Sequence, residues 1–229
     1  MVLNGRTVDA ALPGRRGRLL VALLAVHRPY PVDRDTLIDG LWSSSAGPDA
    51  GAAALTVLLS RCRSVLGRDT LVGRSSIALR LPPDAQIDVE RALAAVHDAE
   101  SAAAQHQWTR AWPAALTAAF ITRRRFLPEA DAPWAEEWRH RLTLVQQRAL
   151  TYYAEACLAL GGAERASRQL IELAPINETG YRLLMRAQAD QGDIAAALFT
   201  YERLRSVLRE ELGVAPGPLI QQLLSQLLS

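Results

Sequence analysis

The spacing of apolar and polar positions divides the chain into a short mixed segment and a long helical one. Pro13-Gly14 opens an amphipathic run that ends near His27, where His-Arg-Pro-Tyr-Pro breaks it. Asp33 has the side chain of a helix N-cap, and Leu37, Ile38, Leu41 and Trp42 follow it at core spacing. Residues 43–49, with Gly47-Pro48, read as a turn. A third helix, Ala50-Gly-Ala-Ala-Ala-Leu-Thr-Val-Leu-Leu-Ser-Arg-Cys-Arg-Ser-Val-Leu66, stops at Gly67, a natural C-cap. The runs Thr70–Val72 and Ile77–Leu81, joined by Gly73-Arg-Ser-Ser76, predict a hairpin. Three helices followed by a hairpin is the order of a winged helix-turn-helix, in which the third helix enters the major groove.

Pro82-Pro83 marks a boundary. Beyond it the periodicity predicts helices over about 88–106, 109–120, 132–160, 163–174, 178–191, 194–212 and 216–228. Gly161, Ala166 and Leu170 recur 31 residues later as Gly192, Ala197 and Tyr201. That offset lies close to the tetratricopeptide period of about 34 residues, and small residues at 166 and 197 let paired helices approach closely. The fold class expected is mainly α: a winged helix over residues 1–81, then an all-α tetratricopeptide-like domain over residues 87–229. Leu219, Leu223, Leu224, Leu227 and Leu228 form a last amphipathic stripe, which closes the array or pairs with another chain.

Charge sharpens this division. The net charge is only +2, yet residues 1–81 hold 11 Arg against 6 Asp and no Glu, while residues 82–229 hold 15 Arg against 18 acidic residues. A basic first third and an acidic remainder point to two domains with different partners. All 26 basic residues are Arg, which reads mainly as codon preference. Arg15, Arg16 and Arg18 precede an apolar run of only eight residues, Leu19–Val26, so an amphipathic core helix explains it better than a secretory signal. No stretch has the length of a transmembrane helix, and a cytoplasmic, membrane-free protein is expected.

Enzymatic chemistry finds no support. Cys62 and Cys157 are far apart, and His27, His97, His106 and His140 lack metal-ligand spacing. There is no phosphate-binding glycine loop and no nucleophile turn, so neither a catalytic centre nor a cofactor is expected. Trp134 and Trp138, one turn apart, read as core, and Arg123-Arg124-Arg125 as a solvated turn.

The C-terminal two thirds carries a resemblance. FLPEADAPWAEEWRHRL (126–142), the helix through QQRALTYYAEACLALGG, and RLLMRAQADQGDIAAALFTYERLRSVLREELGVAPGPLIQQLL resemble the bacterial transcriptional activator domain. That domain and an N-terminal winged helix together define the Streptomyces antibiotic regulatory protein family. GRRGRLLVALLAV, PVDRDTLIDGLW and LTVLLSRCRSVLG match the winged helix in order. LREELGVAPGP is the most specific piece. The resemblance implies a non-catalytic transcriptional activator that binds repeated promoter sites in double-stranded DNA as side-by-side dimers and recruits RNA polymerase. The family usually opens with a short sheet, of which Val2–Val8 alone stands here; that sheet is reduced, or the chain is a piece of a longer protein. Ala52, Ala53 and Leu58 replace the polar and aromatic residues usual in helix three, and Ser76-Ile77 replaces the Gly-Tyr at the end of the wing.

At 100° per residue, Leu55, Leu58, Leu59, Cys62, Val65 and Leu66 form the core arc of helix three. The opposite arc carries Ala53, Thr56, Val57, Ser60 and Ser64, with Arg61 and Arg63 on its shoulders. The DNA-binding candidates are therefore Thr56, Ser60, Arg61 and Arg63, with Arg74 in the wing and Arg15, Arg16 and Arg18 near helix one. The competing reading is an interaction module whose winged helix no longer binds DNA. The alanine-rich start of helix three favours that module, and the basic balance of the first 81 residues favours DNA.

Overall fold

The computed structural model describes all residues except 1, 4, 5, 8–10, 43–47, 83, 84, 161, 162 and 229; at 2, 3, 6, 7, 48 and 49 it describes the backbone alone. The described strands are β1 (Val2–Leu3), β2 (Arg6–Thr7), β3 (Val32–Asp33), β4 (Leu71–Val72) and β5 (Ser76–Leu79). The described helices are α1 (Gly14–His27), α2 (Arg34–Trp42), α3 (Pro48–Leu66), α4 (Asp88–Ala104), α5 (Trp108–Thr122), α6 (Pro133–Ala159), α7 (Glu164–Leu173), α8 (Glu178–Asp190), α9 (Ile194–Leu212) and α10 (Pro218–Leu227). The chain forms two compact units: residues 1–91 with 125–141, and residues 92–124 with 142–229.

In the first unit, β1 and β2 pair antiparallel. α1, α2 and α3 then enclose a leucine-rich core. Leu20, Leu23 and Leu24 of α1, Leu37 of α2, and Leu55, Leu59 and Cys62 of α3 are almost wholly shielded from solvent. Burying each such leucine contributes about 1.5–3 kcal/mol, which makes this cluster the main support of the unit. Asp33 caps α2 as its sequence position indicates: the Thr36 N–H donates to Oδ1 at 2.8 Å and the Thr36 hydroxyl to Oδ2 at 2.7 Å. These two bonds, the backbone one first, hold the Asp33 carboxyl below its ordinary pKa.

The wing is the expected hairpin, with β4 and β5 antiparallel in the register Leu71↔Leu79 and Val72↔Ala78. Pattern reading missed its third strand. β3 adds to β5 through Val32↔Ile77 and Asp33↔Ser76, giving the order β3-β5-β4. Gly73 opens the turn at φ +109°, where a Cβ would lie 1.9 Å from the Ser76 carbonyl oxygen, so no other residue fits this turn unchanged.

Residues 125–141 belong with this first unit, although the sequence pattern groups them with the helices that follow Pro82-Pro83. Ala130, Ala132 and Ala135 are buried in the same core, and the Trp134 indole N–H donates to the Gly40 carbonyl at 3.0 Å. Arg139 shapes the loop before α6: it donates to the carbonyls of Phe126, Leu127 and Ala130 and pairs with Glu136 at 2.6 Å. Trp134 and Trp138 are half-buried, with Phe126 against both rings and the Arg141 guanidinium 4.6 Å from the centre of Trp138.

In the second unit, α4, α5 and the later part of α6 pack largely on alanine, while α7 to α10 bury large side chains such as Tyr181, Met185, Leu204 and Ile220. Ala99, Ala102 and Ala103 of α4, Ala111, Ala115 and Ala118 of α5, and Ala149 and Ala156 of α6 are buried. Small side chains there let the helix backbones approach closely. α7 to α10 form successive helical hairpins, with Ala166 and Ala197 buried at the repeat positions. Asn177 caps α8, accepting from the Thr179 N–H at 2.9 Å, and Asp193 caps α9, accepting from the Ala196 N–H at 2.9 Å. A buried Thr200 hydroxyl donates to Gln188 at 2.9 Å and joins α8 to α9.

The LREELGVAPGP run is the turn from α9 into α10. Gly213 ends α9 at φ +68°, with its N–H on the Arg209 carbonyl and the Val214 N–H on Leu208, a left-handed C-cap. The Gly217 N–H then donates to the Glu178 carboxylate at 3.0 and 3.1 Å, and Pro218 starts α10. The last stripe differs from the expected one. Ile220 and Leu223 are buried and Leu227 packs beside them, whereas Leu219 and Leu228 are exposed, because α10 turns Ile220 inward.

Candidate nucleic-acid interface

α3 separates into the two faces its periodicity requires. Leu55, Leu58, Leu59 and Cys62 are buried, and Val65 and Leu66 pack at the edge of the core. Burial pushes the Cys62 thiol up to about 11. The outer face exposes Ala53, Thr56, Val57, Ser60, Arg61 and Ser64. Val57, 52 % exposed, is the largest apolar side chain there.

The eight candidate side chains occupy different local settings. The Thr56 hydroxyl donates to the Ala52 carbonyl at 2.9 Å and accepts from Arg34 at 2.7 Å. Arg34 also reaches the Ala52 carbonyl at 3.3 Å, so it clips the start of α2 to α3. Sequence reading missed Arg34; no local pattern marks a contact 22 residues away. Arg63 is directed to the wing, donating through Nε to the Leu71 carbonyl at 2.8 Å and through Nη2 to the Gly73 carbonyl at 3.4 Å. It fixes the hairpin against α3. Ser60 and Arg61 are exposed on α3, and Arg74 is exposed in the turn of the wing.

Arg15, Arg16 and Arg18 are exposed at the start of α1. Arg15 donates to the Glu129 carbonyl, and the Arg16 guanidinium lies 5.3 Å from the centre of the Trp42 ring. The first turn of α1 carries no acidic residue. Cations at a helix N-terminus oppose its dipole by about 0.3–1 kcal/mol each, so this placement costs stability while concentrating positive potential. Arg16 and Arg61 come together on one open groove of about 640 Å³, floored by Pro13, Gly14, Trp42, Ala53, Ala54, Val57 and Leu58. Arg18 and Arg74 do not line that groove.

Residues 87–228 match the family model described as bacterial transcriptional activator domain. The chain belongs to the Streptomyces antibiotic regulatory protein family. That family is one of transcriptional regulators. It is 30 % identical over 229 residues to regulatory protein AfsR of Streptomyces coelicolor, covering 98 % of this chain and 23 % of that protein. With transcriptional regulatory protein EmbR of Mycobacterium tuberculosis it shares 28 % identity over 239 residues, covering all of this chain and 61 % of that one. The solved structure of EmbR in complex with a low affinity phosphopeptide superimposes with a TM-score of 0.82 at 26 % identity, covering 93 % of this chain and 59 % of that one. The chain thus spans less than two thirds of each of these relatives. Among the described residues, no helix is long and apolar enough to cross a membrane.

Proposed function

We propose that this family member binds promoter DNA through the outer face of α3 and the tip of the wing, and that its helical unit contacts RNA polymerase or a second copy. The observation that carries the reading is the outer face of α3: exposed from Ala53 to Ser64, with Ser60 and Arg61 available, in a first unit whose arginines outnumber its acids. Arg61 is the one candidate on α3 positioned for a strong base or phosphate contact, since Arg63 holds the wing and Thr56 is engaged by Arg34. Arg74 in the wing and Arg15, Arg16 and Arg18 at the start of α1 supply flanking phosphate contacts. Ala53 and Val57 offer methyl surface to thymine rather than hydrogen bonds, so discrimination comes from few contacts and affinity mostly from charge. Residues 1–81 are the DNA-binding domain in this reading and residues 87–229 the activating one.

One observation favours the interaction module instead: the groove shared by Arg16 and Arg61 is floored by apolar residues, which suits a protein or apolar ligand as well as it suits thymine methyls. Selection from a randomised duplex pool by gel shift separates the two. The DNA reading predicts recovery of a repeated motif whose retention is lost in Arg61→Ala; a pool from which nothing is retained at about 50 mM salt contradicts it.

A further inference from the structure

α5 is packed inside out. Its buried arc is Ala111, Ala115, Ala118, Ala119 and Thr122, while Trp112, Leu116 and Phe120 lie on the outer side at 38, 37 and 65 % exposure, the Trp112 ring resting against Tyr153 of α6 with centroids 6.2 Å apart. The three large residues are spaced four apart, so they climb one side of the helix over about 12 Å. Exposed apolar side chains scattered singly are ordinary, but an aligned row opposite a small-residue interior marks an interaction surface. The row also has a charge. From Gln105 to Pro128 there is no Asp or Glu, and Arg123 and Arg124, both exposed, stand three and four residues after Phe120. Arg123 is the C-cap of α5 and keeps helical backbone angles, so it continues the line of Trp112 and Leu116, and Arg124 follows just past the helix end.

We infer that the outer face of α5 is a docking site for an acidic amphipathic helix of a partner protein, with apolar anchors over Trp112, Leu116 and Phe120 and carboxylates over Arg123 and Arg124. Three observations fix that chemistry. A straight row three residues long matches the i, i+4, i+8 anchors of one helix lying along another. A row ended by two guanidiniums and free of carboxylates attracts acidic segments and repels basic ones. Guanidiniums pair with carboxylates through two parallel hydrogen bonds, which also fixes the orientation of the incoming helix. The row differs from a lipid-binding face because the opposite side of α5 is packed against alanines and only one narrow stripe is available, whereas a bilayer surface selects a broad apolar face rimmed by cations. This inference is independent of whether α3 binds DNA.

The test uses the full chain and a fluorescein-labelled helical peptide of about four turns, with leucines four apart and glutamates at one end, beside the same peptide with lysine in place of glutamate. The expected result is saturable binding of the glutamate peptide, at least about tenfold tighter than the lysine peptide. Phe120→Ser weakens it by about tenfold or more. The double change Arg123→Glu with Arg124→Glu reverses the preference between the peptides. All three positions are exposed, and circular dichroism melting of each variant verifies that the fold is kept. Equal binding of the two peptides, binding of neither, or indifference to Phe120→Ser would overturn the inference. Two further results also overturn it: Phe120→Ser abolishing concentration-dependent self-association in sedimentation with no peptide effect, which would assign the row to a second copy, and Phe120→Ser abolishing only attachment to phosphatidylglycerol vesicles, which would assign it to lipid.

Discussion

α3 and α5 bury opposite kinds of residue. α3 turns its leucines and Cys62 inward and leaves alanine, threonine, serine and arginine outside; α5 turns alanine inward and leaves tryptophan, leucine and phenylalanine outside. The first arrangement gives a stable core behind a thin outer face that a duplex groove can approach, with charge supplied from its shoulders and from α1. The second gives a close-packed but low-area interior and a large-residue exterior suited to another protein. The lesson is that apolar content alone does not locate the core. In α5 size does, because its small residues permit close helix spacing while its large ones stay outside.

The comparison can be broken most sharply at Leu59. Leu59→Ala in α3 is expected to destabilise the chain by about 2–5 kcal/mol, whereas Leu116→Ala in α5 should change stability by no more than about 0.5 kcal/mol, both read from urea unfolding. If the two cost the same, the opposite packing of the helices is wrong. Ala118→Leu tests the small-residue interior and should cost about 1–3 kcal/mol through overpacking. Next comes the pair of arginines two residues apart. Arg63→Ala should lower the melting temperature because two wing carbonyls lose their donor, at about 1–3 kcal/mol, while Arg61→Ala should leave it unchanged. Smallest is the cap at α8: Asn177→Ala should cost about 1 kcal/mol. Cys62, buried and with its thiol held up to about 11, should stay unmodified by iodoacetamide at neutral pH until the first unit unfolds.

Much of this was legible in the sequence. Every helix lies within a few residues of where its periodicity predicts it, and both faces of α3 follow from a 100° wheel because, Val57 apart, its large apolar residues lie on one side. The same wheel does not by apolarity alone separate the sides of α5, where both are apolar; the segregation of alanine from large residues in WTRAWPAALTAAF is the signal that separates them. β3 has two residues, too few for any alternation, and its pairing to β5 spans 45 positions in sequence at Val32↔Ile77. The placement of residues 125–141 in the first unit comes with long-range contacts that no spacing rule reaches: the burial of Ala130, Ala132 and Ala135 in its core and the Trp134 bond to the Gly40 carbonyl. For the candidate site, the residue types were readable but their commitments were not. Arg63 and Thr56 look free in the sequence and are engaged in the fold, which leaves Arg61 to carry the α3 contribution.

The most direct test of DNA binding by the first unit is fluorescence anisotropy on a labelled duplex selected from the pool, titrated across about 50–200 mM salt. The account predicts that affinity falls linearly on logarithmic axes, with the slope reduced by about one in Arg61→Ala and again in Arg74→Ala, as each phosphate contact is removed. An affinity indifferent to salt, or a slope unchanged by Arg61→Ala and Arg74→Ala, would contradict it.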